Sequence, residues 1–254
     1  MRLPQRLPHG GRVDLVDHLD ELRSRIIVSA NAVLAGTVIA YVFHHRLLHW
    51  ITRPLPEGHR RLLTLTVTEP FTTSFKLSFV AGFALALPIV LWQLWAFLAP
   101  AVEPKVQRSL RGLTVFAAAL LAVGIGFGYR IALPAALRFL VHYDHSQYNI
   151  QIRAADYITF AILVLAACGA VFELPIVVLG LVRVRALTSD KLRRNRRIGY
   201  MIVACIGVAL PGVDPVTTIV ETIPLAILFE ASIWLAVAFE KRWDASRALA
   251  SAGA

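Results

Sequence analysis

Residues 158–182 read ITFAILVLAACGAVFELPIVVLGLV, an apolar run carrying one acid, Glu173, and one proline, Pro175. As a helix rising 1.5 Å per residue, a run of this length crosses a hydrocarbon layer of about 30 Å. Five other runs read the same way: Ile26–Phe43, Leu77–Ala99, Leu113–Tyr129 with a continuation to Leu140, Ile198–Val213 and Val216–Phe239. Lipid offers no water to backbone amides, so each run has to satisfy its own hydrogen bonds as a helix. The sequence therefore predicts an all-α, polytopic integral membrane protein, with six transmembrane helices in a concave bundle and a single membrane domain over 1–254. Approximate spans are 24–44, 77–99, 113–140, 158–182, 198–213 and 216–239. An external cap falls at 45–76 and tails at 1–23 and 240–254.

Composition agrees. Hydrophobic residues make up 57% and charged residues 17% of the 254, with a mean hydropathy of +0.64. Soluble domains run at roughly 45–50% apolar and about 25% charged. The net charge of +10 invites a nucleic-acid reading. The bases, however, lie between apolar runs rather than on one face among aromatics, which argues against nucleic acid. Cys168 and Cys205 sit inside apolar runs without a Cys-x-x-Cys or a neighbouring histidine pair, so they read as small apolar packing residues. The first run is too long for a signal-peptide core, so it reads as a retained span.

Orientation follows from the bases. With the N-terminus cytoplasmic, 18 of the 26 Lys and Arg lie on that side, which predicts both termini inside. Prolines 88, 134, 175 and 224 fall within the runs and predict kinks rather than breaks. Pro54, Pro56 and Gly58 predict a folded cap with short helices between the first two spans. The fifth run, Ile198–Val213, covers only about 24 Å as a helix, so the bilayer has to thin beside it or its flanks have to snorkel.

Motifs for chemistry are few. There is no phosphate-binding Gly-x-x-x-x-Gly-Lys, no His-Glu-x-x-His and no Gly-x-Ser-x-Gly, and the eight histidines are scattered. No enzyme, cofactor or metal site is expected. Leu15, Leu19, Leu22 and Ile26 fall at helical spacing, predicting an amphipathic interfacial helix that runs into the first span, with Glu21 and Arg25 paired at i, i+4. Glu173, Glu221 and Glu230 lie in apolar runs. An acid at mid-bilayer costs about 2.5–3.5 kcal/mol on insertion scales, so its retention marks a bundle interior, a polar cavity or a partner helix. Glu230, towards the cytoplasmic end, has a snorkelling route; Glu221, close to the outer face, can be hydrated.

Several short motifs then occur in order. They are His18-Leu19-x-Glu21-Leu22-Arg23-x-Arg25, Arg53-Pro54-Leu55, Glu69-Pro70-Phe71, Leu87-Pro88 and Gln93-x-Trp95-Ala96-Phe97-Leu98-Ala99-Pro100. Phe127-Gly128-Tyr129 with Pro134, Phe172-Glu173-Leu174-Pro175, Pro211-x-x-Asp214-Pro215, Ile223-Pro224 and Phe229-Glu230 follow. In this series, from Leu15 to Phe239, the chain resembles the C subunit of the twin-arginine protein translocase, the TatC family. The resemblance implies a receptor, not an enzyme. It would bind twin-arginine signal peptides of folded cargo, work in an oligomeric complex with single-span A-type and B-type subunits in the cell membrane, and draw on the proton motive force.

The resemblance assigns signal-peptide binding to Glu21 and Arg23 with Glu103, contacts with a partner helix or intramembrane polar roles to Glu173, Asp214 and Glu230, and structural roles to Pro54, Glu69, Pro70, Pro100 and Pro175. Carboxylates suit the arginine pair because guanidinium forks them through charge-assisted hydrogen bonds that lysine cannot reproduce. One position departs from the family. Val106 stands where a second glutamate is expected, leaving two readings: Glu103 serves in its place, or signal recognition in this chain is altered. Lys105 and Arg108 read as headgroup anchors. A solute or ion-coupled carrier is the rival class; it predicts inverted repeats, which the sequence lacks.

Overall fold

Helix α1, Leu15–Val42, carries the amphipathic start and the first apolar run in one continuous rod. The computed structural model describes residues 15–56, 61–98, 104–143, 150–183, 187–209 and 215–252. Its further helices are α2 (His44–Thr52), α3 (Glu69–Leu98), α4 (Pro104–Phe127), α5 (Leu133–His142), α6 (Ala154–Phe172), α7 (Leu174–Arg183), α8 (Ser189–Arg194), α9 (Arg196–Ala209) and α10 (Pro215–Ala252). A π-helical segment, Gly128–Ala132, joins α4 to α5. Among the described residues the one β feature is an isolated bridge between Leu63 and Arg153.

Six helical units thus follow the six apolar runs: α1, α3, α4 with α5, α6 with α7, α9 and α10. Five have helices long and apolar enough to cross a membrane. The exception is α9, whose 14 residues extend about 21 Å. The last unit departs from expectation in the other direction. Residues 240–252, read as a tail, continue α10 as helix, which is 38 residues long.

The prolines are absorbed in three ways. Pro88 and Pro224 sit inside helices that continue past them. Pro134 lies in the first turn of α5, where its missing N–H would otherwise leave a carbonyl of the preceding turn exposed. The chain widens into the π segment there, and Leu133 N–H reaches back to the Gly128 carbonyl. Pro175 goes further than a kink. Helix α6 stops at Phe172, and Glu173 is a turn residue with φ −76° and ψ −10°. Its carbonyl accepts from Ile176 N–H at 3.0 Å and Val177 N–H at 3.1 Å to restart the helix.

Packing is built on close helix crossings. A Cβ on Gly36 of α1 would lie 2.5 Å from the Gly82 carbonyl oxygen of α3, and one on Gly82 would lie 2.3 Å from the Thr37 nitrogen. Only glycine lets these two backbones meet, as small residues do between membrane helices. Beyond this pair, Leu133, Leu137, Ile158, Ala161 and Val164 form a buried cluster of α5 and α6 with Ile51 of α2 and Leu77 of α3. A second cluster joins Val171 and Phe172 to Val203 of α9 and to Leu225, Phe229 and Ile233 of α10. Leu34, Val38, Leu85, Val123, Val208, Ile219 and Ile227 stay exposed, which is the surface a bilayer would cover.

Candidate functional site

The N-terminal signature comes together through the α1–α3 packing. Arg25 donates from Nε to Glu21 Oε1 at 3.0 Å, one helical turn back, and from Nη1 to Gln93 Oε1 of α3 at 3.2 Å. Both nitrogens that meet Glu21 use the same oxygen, Oε1. The Glu21 side chain is 33% exposed and that of Arg25 19%. Arg23 lies on the exposed side of the helix, turned away from this pair. Glu103 and Pro100 lie outside the described residues, as does Asp214. Val106 is in α4, but its side chain is not among those described. The first acid of the expected arginine-accepting patch is therefore placed; its second is not.

The intramembrane acids differ sharply from one another. Glu173 sits at the α6–α7 break, half-buried beside fully buried Pro175, and its Oε1 is enclosed without a hydrogen-bond partner among the described residues. Glu230 is satisfied within the chain. Its Oε2 accepts from Tyr200 Oη at 2.8 Å, and its Oε1 accepts from Trp234 Nε1 at 3.1 Å and pairs with Arg196 at 3.0 Å. The Arg196 guanidinium lies 5.9 Å from the centre of the Trp234 ring, so α9 and α10 share one charge-and-aromatic clamp. Glu221 corrects the reading that placed it in reach of outer water. It is 3% exposed, turned into the bundle where α10 passes α6. The two cysteines also part company: Cys168 is buried as expected, whereas Cys205 is exposed on α9.

At the other end of the bundle, Glu69 opens α3. Its Oε2 accepts from Leu65 N–H at 3.0 Å, and its Oε1 from Ala155 N–H at 3.0 Å and from Arg153 Nε at 3.1 Å. Pro70 follows in the first helical turn, where a missing N–H costs nothing. Leu63 N–H bonds to the Ile152 carbonyl at 2.9 Å, and Ala154 N–H to the Leu63 carbonyl at 2.8 Å. The carboxylate thus fastens the strand-like segment before α3 to the start of α6. Nearby, Pro54 lies just past α2, whose last carbonyls are held from outside. Tyr129 Oη donates to the Trp50 carbonyl at 2.9 Å, and Tyr157 Oη to the Ile51 carbonyl.

Sequence reading singled out Glu69 but missed its partner Arg153, the Gly36–Gly82 crossing and the Arg196–Glu230 clamp. An acid buried at a helix start calls for amide or cationic partners, which was a usable signal for the first. The other two depend on helix pairing and left no local trace.

A bundle of six apolar helical units, with Glu69 held at a helix start and Glu173 at a helix break, defines a polytopic helical membrane protein. The family described as Sec-independent protein translocase protein (TatC) matches residues 17–224, and the chain belongs to it. A Sec-independent protein translocase protein TatC from Carboxydothermus hydrogenoformans is 34% identical over 223 residues, covering 87% of this chain and 92% of its own. One from Aquifex aeolicus is 34% identical over 225 residues, covering 87% and 93%. A crystal structure of the twin-arginine translocase receptor TatC in DDM superposes with a TM-score of 0.76 at 33% identity, covering 86% of this chain and 99% of that one. The chain is thus a membrane protein and a transport component of the Sec-independent translocase.

Proposed function

We propose that this chain is the receptor subunit that binds twin-arginine signal peptides and passes their folded cargo to an export pathway in the cell membrane. The observation that carries the reading is Glu21. Its carboxylate is one-third exposed near the head of α1, held by Arg25 and, through it, by Gln93 of α3, and its Oε2, without a bond among the described residues, is the oxygen that an incoming guanidinium would take. A carboxylate fixed in this way favours a guanidinium, whose planar fork can make two charge-assisted hydrogen bonds. Arg23, exposed two residues on and on another side of α1, meets the segments that flank the arginine pair.

The remaining parts of the reading rest on the family and on chemistry. Both termini face the cytoplasm, as the distribution of bases asks. Single-span A-type and B-type subunits assemble beside the bundle, with Glu173 and Asp214 as polar contacts, and the proton motive force drives transport. Glu230, bonded to Arg196 and Tyr200, acts as the brace between α9 and α10 rather than as a contact. Residues 1–254 form a single membrane domain.

The test is binding of a twin-arginine peptide and its twin-lysine version to the full chain in nanodiscs. Tighter binding of the arginine form, lost in Glu21→Ala, is expected; equal binding of the two peptides would overturn the reading. Val106 favours a second reading, a receptor with altered recognition. Val106→Glu strengthens binding if the second acid is missing and leaves it unchanged if Glu103 already serves.

A further inference from the structure

We infer that Arg25 is a resident occupant of the signal-peptide site, a built-in guanidinium whose competition for Glu21 sets the preference for arginine over lysine. The inference rests on the receptor reading above and goes on to how that site selects.

Three observations lead to it. First, Arg25 already makes the contact a signal-peptide arginine would seek, with Nε and a second guanidinium nitrogen on Glu21 Oε1. Second, it is not a loose surface partner. Its Nη1 is drawn to Gln93 Oε1, 68 residues away on α3, and its side chain is only 19% exposed, less than that of the glutamate it holds. Third, the occupation is one-sided, because both bonds converge on Oε1 while Oε2 of the one-third-exposed carboxylate carries no bond among the described residues.

The consequence is a competition. A cation arriving at Glu21 meets a positive charge already seated there, so its gain is the difference between its own bonds and those Arg25 gives up or shares. A guanidinium recovers that difference, since it places two parallel N–H groups on a carboxylate edge. An ammonium offers a point charge and one bond at a time. With the resident in place, a lysine peptide therefore loses more than an arginine peptide. With the resident removed, both cations gain, and lysine gains more. Gln93 is the anchor that keeps Arg25 from swinging into solvent, so it acts on the same balance from α3.

The experiment compares the dissociation constants of a twin-arginine and a twin-lysine peptide for the full chain in nanodiscs, using wild type, Arg25→Gln, Gln93→Leu and Glu21→Gln. For Arg25→Gln, the arginine peptide is expected to bind about two- to fivefold tighter, the size of a partly exposed ion pair. The lysine peptide is expected to gain more, so that the ratio of the two constants shrinks. Gln93→Leu shifts the ratio in the same direction by less, and it keeps the test open should Arg25→Gln fail to fold. Glu21→Gln weakens both peptides. Weaker arginine-peptide binding in Arg25→Gln, or an unchanged ratio in both Arg25→Gln and Gln93→Leu, overturns the inference while leaving the receptor reading intact. A wild-type chain that does not distinguish the two peptides overturns the receptor reading itself.

Discussion

Glu69 and Arg153, 84 residues apart in the chain, form an ion pair at 3.1 Å in which the carboxylate side chain is 2% exposed and the guanidinium 38%. The asymmetry matters. The acid is the enclosed partner, and it is also bonded to the backbone amides of Leu65 and Ala155, so most of what holds it is main chain. It ties the start of α3, the segment preceding that helix and the start of α6 into one corner.

That arrangement ranks a mutation series by thermal unfolding in detergent. Glu69→Ala, which strands two amides and a guanidinium, should lower the midpoint most. Glu69→Gln keeps one acceptor oxygen and should lower it less. Arg153→Gln, which leaves both amide bonds intact, should have the smallest effect. A larger drop for Arg153→Gln than for Glu69→Ala would show that the ion pair, not the amide bonds, carries the corner.

Gly36 and Gly82 predict a clash without a propensity excuse. Alanine is the better helix former by about 1 kcal/mol, so Gly82→Ala would stabilise an isolated α3. In the bundle, its Cβ would fall 2.3 Å from the Thr37 nitrogen, and overpacking of this kind costs about 1–3 kcal/mol or more. Gly82→Ala should therefore lower the unfolding midpoint. Gly126→Ala is the control, because a Cβ there meets nothing within 4 Å; it should be neutral or stabilising. Equal behaviour of the two variants would refute the α1–α3 crossing.

Glu230, Arg196 and Tyr200 should behave as one unit. Removing Glu230 leaves a guanidinium whose Nε is already enclosed without a partner among the described residues. Glu230→Ala and Arg196→Ala should then each destabilise the chain. Their double variant should cost less than the sum, with a coupling of about 0.5–1 kcal/mol for a partly exposed pair. Additive losses would make the pair a bystander.

Glu173 carries the opposite expectation. Its enclosed Oε1 makes no internal bond among the described residues, so Glu173→Ala should leave the unfolding midpoint and peptide binding near wild type while abolishing export or assembly with single-span subunits. Glu173→Gln should do less harm, since an amide still accepts and donates. Export by Glu173→Ala at the wild-type rate would remove this acid from the mechanism.

Topology has a direct check. A tag after residue 254 should resist protease in intact spheroplasts and be cut only after lysis, as cytoplasmic termini require. Cleavage in intact spheroplasts would reverse the orientation.

How far the sequence reaches can be judged from these residues. The six apolar runs were legible because hydropathy belongs to each residue separately and accumulates along the chain, so a window of twenty side chains already states that lipid is the better solvent. The prolines were legible as disturbances for the same local reason. Their resolution was not: Pro134 is met by a π segment and Pro175 by a one-residue break at Glu173, while Pro88 and Pro224 leave their helices running on. Glu173 and Glu230 could each be named as an acid out of place, and the pairing of Glu21 with Arg25 could be read from their i, i+4 spacing. The sequence could not say that Gln93 of α3 joins that pair, that Arg196 and Tyr200 satisfy Glu230, or that Glu173 encloses an oxygen without a hydrogen-bond partner among the described residues. Only the tertiary structure decided those outcomes, because the partner of a buried charge is chosen by which helices pack together, and that packing turns on contacts such as Gly36 against Gly82 that join residues far apart in the chain.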